Sequence, residues 1–469
     1  MKKKSMKRSC TIFLASLTAA ICLSVSATAQ DKFIHSAQEI DRTGVFLPTH
    51  DSPAVAQELR DSFQDHTQEI TGEGLALIKK NQCEGAPLDQ RWYSFRRFGQ
   101  SFEHFLTARE VRFYGGREAD VRSAIARQYV SLVPLQADQD PGDIRLFKAR
   151  RDSNSFDLVI IGQNSREVAL KTMIRLAYLF EFMDERAKQR FVGGLDGFLR
   201  RVKIFLSSFP ARQEFIAFFH QYRIADPDVV IIGFQRDTRA VLKEAGIGEP
   251  ERYSSDSLRV NWYPDAGGKK VLLVSINGNR IFASRAGELI QAIFETFHSP
   301  PQSIVFLGSA GAIDSADLVG KIVAPTVVVN DEYFNAERHG GKLAHIIRNR
   351  ATMIVPVKTA HVSVESMLLE TMPWATKNKS NRIVTVDQEL YPIVNAINTS
   401  QYGNKIQLFA GILVTDNVSA VHTYDQNTLQ HAEDIIAQTG AIRKAFLAEV
   451  LSELGITRDQ FLTARPAVK

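Results

Sequence analysis

SIVFLGSAGAIDSADLVGKIVAPT, residues Ser303 to Thr326, runs an apolar, β-branched strand into Gly308-Ser309-Ala310-Gly311 and then into a second short strand from Lys321 to Val329. Two later segments answer it: TVDQELYPIV, which holds Glu389, and GILVTDNVSA, which holds Asp416. Small residues at a strand end let the backbone come close to a ligand. Acids at two further strand ends can then surround a polar molecule such as a sugar.

Outward from this stretch, strands and helices alternate from Ala225-Asp226-Pro227 onward. DVVIIGF, SLRVNWYP, KKVLLVSI, SIVFLG, KIVAPTVVV, NRIVTVD and KIQLFAGILV read as strands. TRAVLKEAGI, RIFASRAGELIQAIFETF, ELYPIVNAI and Asn427 to Leu454 read as helices. The strands are nearly continuous apolar runs, as expected when helices cover both faces of a sheet. Residues 226–469 are therefore expected to form one three-layer α/β domain with a mixed, mostly parallel sheet.

Upstream, residues 30–225 read as a mostly helical α+β domain. Ala54 to Lys80, Arg91 to Leu132 and Arg166 to Tyr222 space apolar residues by three and four. DIRLFKA and SFDLVIIG interrupt them as a strand pair, and no catalytic motif appears in this half.

Residues 1–29 read as an export signal: MKKKSMKR is a basic start, TIFLASLTAAICLSV an apolar core, and Ala27-Thr28-Ala29 a cleavage site before Gln30. The apolar part is short for a membrane span, and no later run reaches the length a span needs. The expected location is periplasmic or secreted, with no stable membrane insertion. The leader holds five of the 57 basic residues and no acid, so the mature chain balances its 52 acids and the formal +5 disappears. No nucleic-acid partner is indicated by charge. Cys10 and Cys22 leave with the leader, and Cys83 alone excludes an internal disulfide or a cysteine-rich zinc site. Roughly 440 mature residues suffice for two domains with cores of their own.

Several residues could do chemistry. In DVVIIGFQRDTR, Gly233 turns the chain at a strand end, and Arg236, Asp237 or Arg239 could face a ligand. Asp237 could equally sit on the positive end of the following helix. SINGNRIFASRA repeats the pattern with Arg280 and Arg285 as possible anion binders, although a surface role suits either alone. Glu389 and Asp416 each follow an apolar strand, where an acid is costly unless it reaches solvent, a partner or a substrate. Each also has a simpler reading as a helix cap.

GSAGAID…GKIVAPT, TVDQE and VTDN, in this order and spacing across 226–469, resemble the signature segments of the nucleoside phosphorylase superfamily. That superfamily includes phosphorylases and nucleosidases, and the likeness does not extend to 30–225. It implies a phosphorylase-like fold, a small-molecule nucleoside or nucleotide as partner, a homo-oligomer, and neither metal nor organic cofactor. It further implies that Glu389 holds the ribose hydroxyls and that Asp416 protonates the purine at N7. Gly308, Ser309, Ala310 and Gly311 would line the pocket at the sugar, and Gln388 would stand beside it. The segment from Ser363 would close over the base, with Met367 where an aromatic ring often stacks. Phosphorylases of this kind carry an arginine two residues before the first loop glycine, where this chain has Phe306. Gln388 replaces a methionine, and Ala312 a last glycine. Phe306, together with Asp237 standing four residues after Gly233 where phosphorylases place an arginine, favours water over phosphate, with Asp237 the nearest acid to activate it, while Gln388 implies a more polar pocket. The expected function is an exported purine nucleosidase. The alternatives are a phosphorylase using Arg236, Arg239, Arg280 or Arg285, and a non-catalytic nucleoside-binding or uptake protein.

Overall fold

The computed structural model describes residues 59–83, 102–116, 118–135, 144–162, 164–181, 183–207, 211–255, 258–275, 284–313, 316–330, 344–364, 370, 372–418 and 434–457. The leader, Arg280 and Met367 lie outside the described residues. Residues 53–469 pack as one compact unit that carries two sheets. No helix among the described residues is long and apolar enough to cross a membrane.

The first sheet has six strands: β1 (Phe63–Asp65), β2 (Val111–Gly115), β3 (Ser131–Pro134), β4 (Ile144–Arg150), β5 (Phe156–Gly162) and β6 (Val202–Ser207), in the order β1-β6-β2-β5-β4-β3. β6, β2 and β5 run parallel, and the outer strands are antiparallel to their neighbours. Helices α1 (Thr67–Cys83), α2 (Phe102–Thr107), α3 (Glu118–Ile125), α4 (Arg166–Glu181), α5 (Glu185–Lys188) and α6 (Gly194–Leu199) accompany it. The strand pair read from DIRLFKA and SFDLVIIG is present as β4 and β5. β2 and β6, however, fall inside stretches expected to be helical. VKIFLS in β6 alternates buried and half-buried residues, the period of a strand. Its neighbours Phe198 and Leu199 are also buried, which gives the segment a helix-like spacing when read as a line of letters.

The second sheet holds ten strands. They are β7 (Val229–Ile232), β8 (Glu251–Ser254), β9 (Arg259–Ala266), β10 (Lys269–Ser275), β11 (Ser303–Ala312), β12 (Ile322–Asn330), β13 (Ala344–Ile346), β14 (Lys358–Ser363), β15 (Thr385–Asp387) and β16 (Gln407–Asn417). Helices α7 (Ala211–Gln221), α8 (Gln235–Glu244), α9 (Ser284–Thr296), α10 (Met372–Ser380), α11 (Leu390–Thr399) and α12 (Gly440–Glu453) complete it. Val230, Ile232, Ile304 and Phe306 join residues of α7, α9 and α11 in one core. Val229, Ile231, Val305 and Leu307 join residues of α8 and α12 in another. Both faces of these strands are thus covered, which is why they read as unbroken apolar runs. α7 belongs to this layer although it lies upstream of residue 226.

The sheet partly closes on itself. β11 pairs with β16 and β15, β16 with β12, β12 with β14, and β14 with β15, so five strands form a ring without a free edge. GSAGA is accordingly not the loop the sequence suggests; it is the second half of β11.

Gly233 sets the entry to α8. Its φ is +98°, and a Cβ there would lie 2.0 Å from the Leu307 carbonyl oxygen of β11. Gly246 has φ +78° with nothing within 4 Å. Gly246→Ala should therefore cost about 1 kcal/mol for backbone strain alone. Gly233→Ala should cost at least about 3 kcal/mol, because β7 and β11 must also separate. Paired denaturant titrations measure the difference, and equal losses would contradict this account.

Candidate active site

Closure of the ring brings the sequence-distant acids to one end of it. Gly311 pairs with Asp416 on one side and with Val386 on the other, so Asp416, Gly311 and Val386 share a row across β16, β11 and β15. Ser363 pairs with Asp387 in the next pair of strands. A side chain at 311 would collide with Val418 Cγ1 at 2.6 Å and press on Asp416 Oδ2 at 3.2 Å. The glycine leaves room for the carboxylate.

Asp416 owes its direction to a bulge. Ala310 pairs with Val414 and Gly311 with Asp416, so Thr415 is an extra residue in β16. Such a residue bends the strand and re-aims its neighbour's side chain. The Thr415 hydroxyl lies 2.8 Å from Asp416 Oδ1 and 3.3 Å from the Ala310 carbonyl oxygen. Asp416 remains partly exposed at the end of the strand. Beside it Ser309 is exposed and Gly308 half-exposed, between residues that are otherwise buried. The sheet is open at this point, where a ligand can meet backbone.

Asp387 and Glu389 divide the labour at the start of α11. Asp387 accepts from the Ser363 hydroxyl at 2.6 Å, from Glu389 N at 3.2 Å and from Leu390 N at 3.1 Å. His361 Nε2 stands 2.8 Å from Asp387 Oδ1, although its ring direction misses hydrogen-bond geometry. His361 Nδ1 lies 2.9 Å from Thr385 Oγ1. Asp387 therefore caps the helix. Glu389 occupies the cap position itself, yet its side chain makes no capping bond. The simpler reading of Glu389 as a helix cap is removed. Burial and then the negative charge of Asp387 push the Glu389 carboxyl well above the usual range, against the Gln388 N–H and Lys171.

Gln388 is 7% exposed, and its Oε1 has no hydrogen-bond partner. A buried acceptor of this kind is costly unless a donor reaches it. Ser363, expected over a base, instead spends its hydroxyl on Asp387 and on Tyr391 N at 2.9 Å. The sequence reading missed Asp387 and His361. Their signal was the Asp-x-Glu spacing in TVDQE and the polar alternation of HVS in β14.

Asp237 and the described cationic candidates each have surroundings of their own. Asp237 is 9% exposed and bonded at 2.6 Å by Arg443 Nε of α12. Arg443 also stacks over Phe234 at 4.5 Å and reaches Thr439 Oγ1 at 2.9 Å. This buried pair fastens α8 to α12 and occupies Oδ2 of Asp237, the acid expected to activate water. Arg236 is exposed on α8. Arg239 acts on Tyr263 of β9, whose hydroxyl burial pushes up to about 12. Arg285 is buried, pairs with Glu214 at 3.3 Å and lies over Phe215, joining α9 to α7. Phe306 is buried in the core, and its ring lies where a Cβ on Gly308 would be, 2.6 Å away. No group of acids, histidines and cysteines suited to a metal occurs among the described residues.

No family model matches the chain, and no curated protein matches it. Over about half its length it is similar to solved nucleosidase and phosphorylase structures. Helicobacter pylori MTAN is 10% identical with a TM-score of 0.38, covering 48% of this chain and 98% of that one. The 5'-methylthioadenosine/S-adenosylhomocysteine nucleosidase from Neisseria meningitidis, in complex with methylthio-immucillin-A, is 16% identical with the same TM-score and coverages. Schistosoma purine nucleoside phosphorylase, in complex with hypoxanthine, is 14% identical at a TM-score of 0.39, covering 52% and 97%. At such scores function has to be read from the residues themselves.

Glu389 also makes a prediction about stability. A carboxyl raised in the folded state loses its proton later than in the unfolded chain, so folding is weakened as pH rises above the unfolded value near 4.5. Glu389→Gln should abolish this loss. Its advantage over the parent should be absent at pH 4 and grow toward neutrality by up to about 1.4 kcal/mol per pH unit. Urea titrations between pH 4 and 8 measure it, and a pH-independent difference would contradict the assignment.

Proposed function

We propose that the second sheet carries a nucleosidase site that hydrolyses the N-glycosidic bond of a purine ribonucleoside or a related molecule. One observation carries the reading. Closure of the ring pairs Gly311 with Asp416 on one side and with Val386, three residues before Glu389, on the other, and Asp387 takes the capping bonds of the helix that Glu389 opens. Two acids with separate duties suit a reaction that develops opposite charges at its two ends.

In this reading Glu389 accepts hydrogen bonds from the ribose hydroxyls and faces the positive charge that grows on the ribosyl ring. The bond between C1′ and the base nitrogen breaks with its electron pair going to the base. Asp416 delivers or steadies a proton at N7, so the base leaves neutral. Water adds its oxygen to C1′ and releases a proton, giving free base and ribose. The unpartnered Gln388 Oε1 supports a substrate that brings a hydroxyl or amino donor to the sugar end. The signature segments described above support the same superfamily.

Phe306 supports water rather than phosphate as nucleophile, since the position that would carry an arginine is filled by an apolar ring in the core. The test is turnover of a nucleoside and nucleotide panel with products resolved by chromatography. Free base and ribose should appear equally with and without phosphate, and Asp416→Asn should lower kcat at least about 100-fold. Ribose 1-phosphate formed only with phosphate would establish a phosphorylase. Ligand binding without turnover would establish a binding protein, and an undiminished Asp416→Asn would overturn the mechanism.

We also propose that residues 1–29 direct export to the periplasm or medium. N-terminal sequencing of the protein recovered from that compartment should begin at Gln30; an uncleaved chain retained in the cytoplasm would overturn this.

A further inference from the structure

His361, Ser363, Thr385 and Asp387 form a polar square on one face of β14 and β15. His361 is paired with Thr385 and Ser363 with Asp387, while Val362 and Val386 between them belong to the apolar cluster on the opposite face. All four polar residues are buried, His361 completely. Tyr391 N donates to Ser363 Oγ, so the square lies beneath the first turn of α11. Polar groups shut away from water are costly unless each meets a partner.

A single oxygen is the hub of this square. Asp387 Oδ1 accepts from Ser363 Oγ at 2.6 Å and from Glu389 N at 3.2 Å, and His361 Nε2 stands 2.8 Å away. A bare imidazole nitrogen at that distance sets its lone pair against the carboxylate, so Nε2 must carry a proton. The line of that N–H misses the oxygen, and it acts on Asp387 as a positive edge rather than as a straight bond. The Thr385 hydroxyl, 2.9 Å from Nδ1, can turn to donate to a neutral ring or to accept from a charged one. The proton on Nε2 is kept in either state.

We infer that His361 is a positioning residue for the candidate active site: it holds Asp387 on the N–H groups of α11 and thereby keeps Glu389 free for the sugar. Glu389 occupies the cap position and is the acid placed to take those N–H groups if Asp387 swings away. Glu389 Oε2 meets the Gln388 N–H at 3.3 Å, a long bond that a sugar hydroxyl can replace. His361 touches no reacting atom; its effect passes through Asp387 and the backbone that Asp387 fixes.

The inference rests on Glu389 being the sugar-binding acid, and its test has two arms that need no nucleoside. Nitrogen NMR of the full chain, with His361→Gln identifying the ring signals, should show a proton on Nε2. His361→Leu should speed hydrogen exchange at the Glu389 and Leu390 amides at least about tenfold, since Asp387 holds both. With adenosine or inosine as substrate, its KM should rise up to about tenfold while kcat changes less. His361→Gln, which keeps a donor at a similar reach, should restore slow exchange and low KM. In a Glu389→Gln background, His361→Leu should leave KM where it was. Unchanged exchange or an unchanged KM in a folded His361→Leu protein overturns the proposal. Should that variant not fold, the parent ring decides, and a bare Nε2 overturns it. Faster exchange with no nucleoside hydrolysed by any variant leaves the hold on Asp387 standing and removes the nucleosidase reading instead.

Discussion

Gly311 sits in a row with Asp416 on one side and Val386 on the other, and that row exists because five strands close on one another. Two strand pairings only two residues long, β15 on β11 and β16 on β12, complete the ring. On one edge of β11 the pairing with β7 ends at Phe306 and that with β15 begins at Gly311, and the exposed Ser309 lies in the interval between them. Any side chain at 311 would have to displace Val418 or Asp416. The bulge at Thr415 then sets the acid beside Gly311, with its carboxylate against the Thr415 hydroxyl. Closure, a missing Cβ and one extra residue together make a site from strands that are separately unremarkable in chemistry.

The same economy governs the two acids of TVDQE. The first turn of a helix presents unpaired N–H groups, and an acid there is normally held by them. Asp387 takes those groups together with Ser363, and His361 stands against it. Glu389 is left as a carboxylate near a second carboxylate, partly cut off from water. That arrangement opposes folding at neutral pH. The opposite case is Asp237. It too begins a helix after an apolar strand, but Arg443 neutralises it and the pair joins two helices. Sequence position alone does not separate these acids; the partner supplied by the distant chain does.

Much of the second sheet was legible because its strands are buried on both faces and its helices are amphipathic, so the period changes at each boundary. β7 and β10 fall within segments read as strands, and β11 and β16 begin in such segments and run past their ends. The first sheet was harder. β2 and β6 are short, each lies between helices, and the alternation of VKIFLS is bracketed by buried Phe198 and Leu199. GSAGA was read as a loop since glycine and serine weaken strand propensity, whereas β16 supplies pairing along its whole length. Glu389 and Asp416 stood out as acids closing apolar runs. Arg443 could not be foreseen, because it acts on an acid 206 residues away in sequence.

The proposed preference for water rests on the packing of the core as well as on the site. Phe306 is part of the cluster formed with α7, α9 and α11, and Gly308 has no side chain so that the ring can lie against it. An arginine at 306 would place a guanidinium among Ile232, Ile304 and Leu289 unless it reached past Gly308 to an anion. The ring fills that path in the present chain. The glycine that elsewhere would let backbone approach a ligand here also makes room for a neighbouring aromatic ring. One residue pair thus packs the sheet and leaves position 306 without a cation, and the buried Arg285 on α9 is held by Glu214.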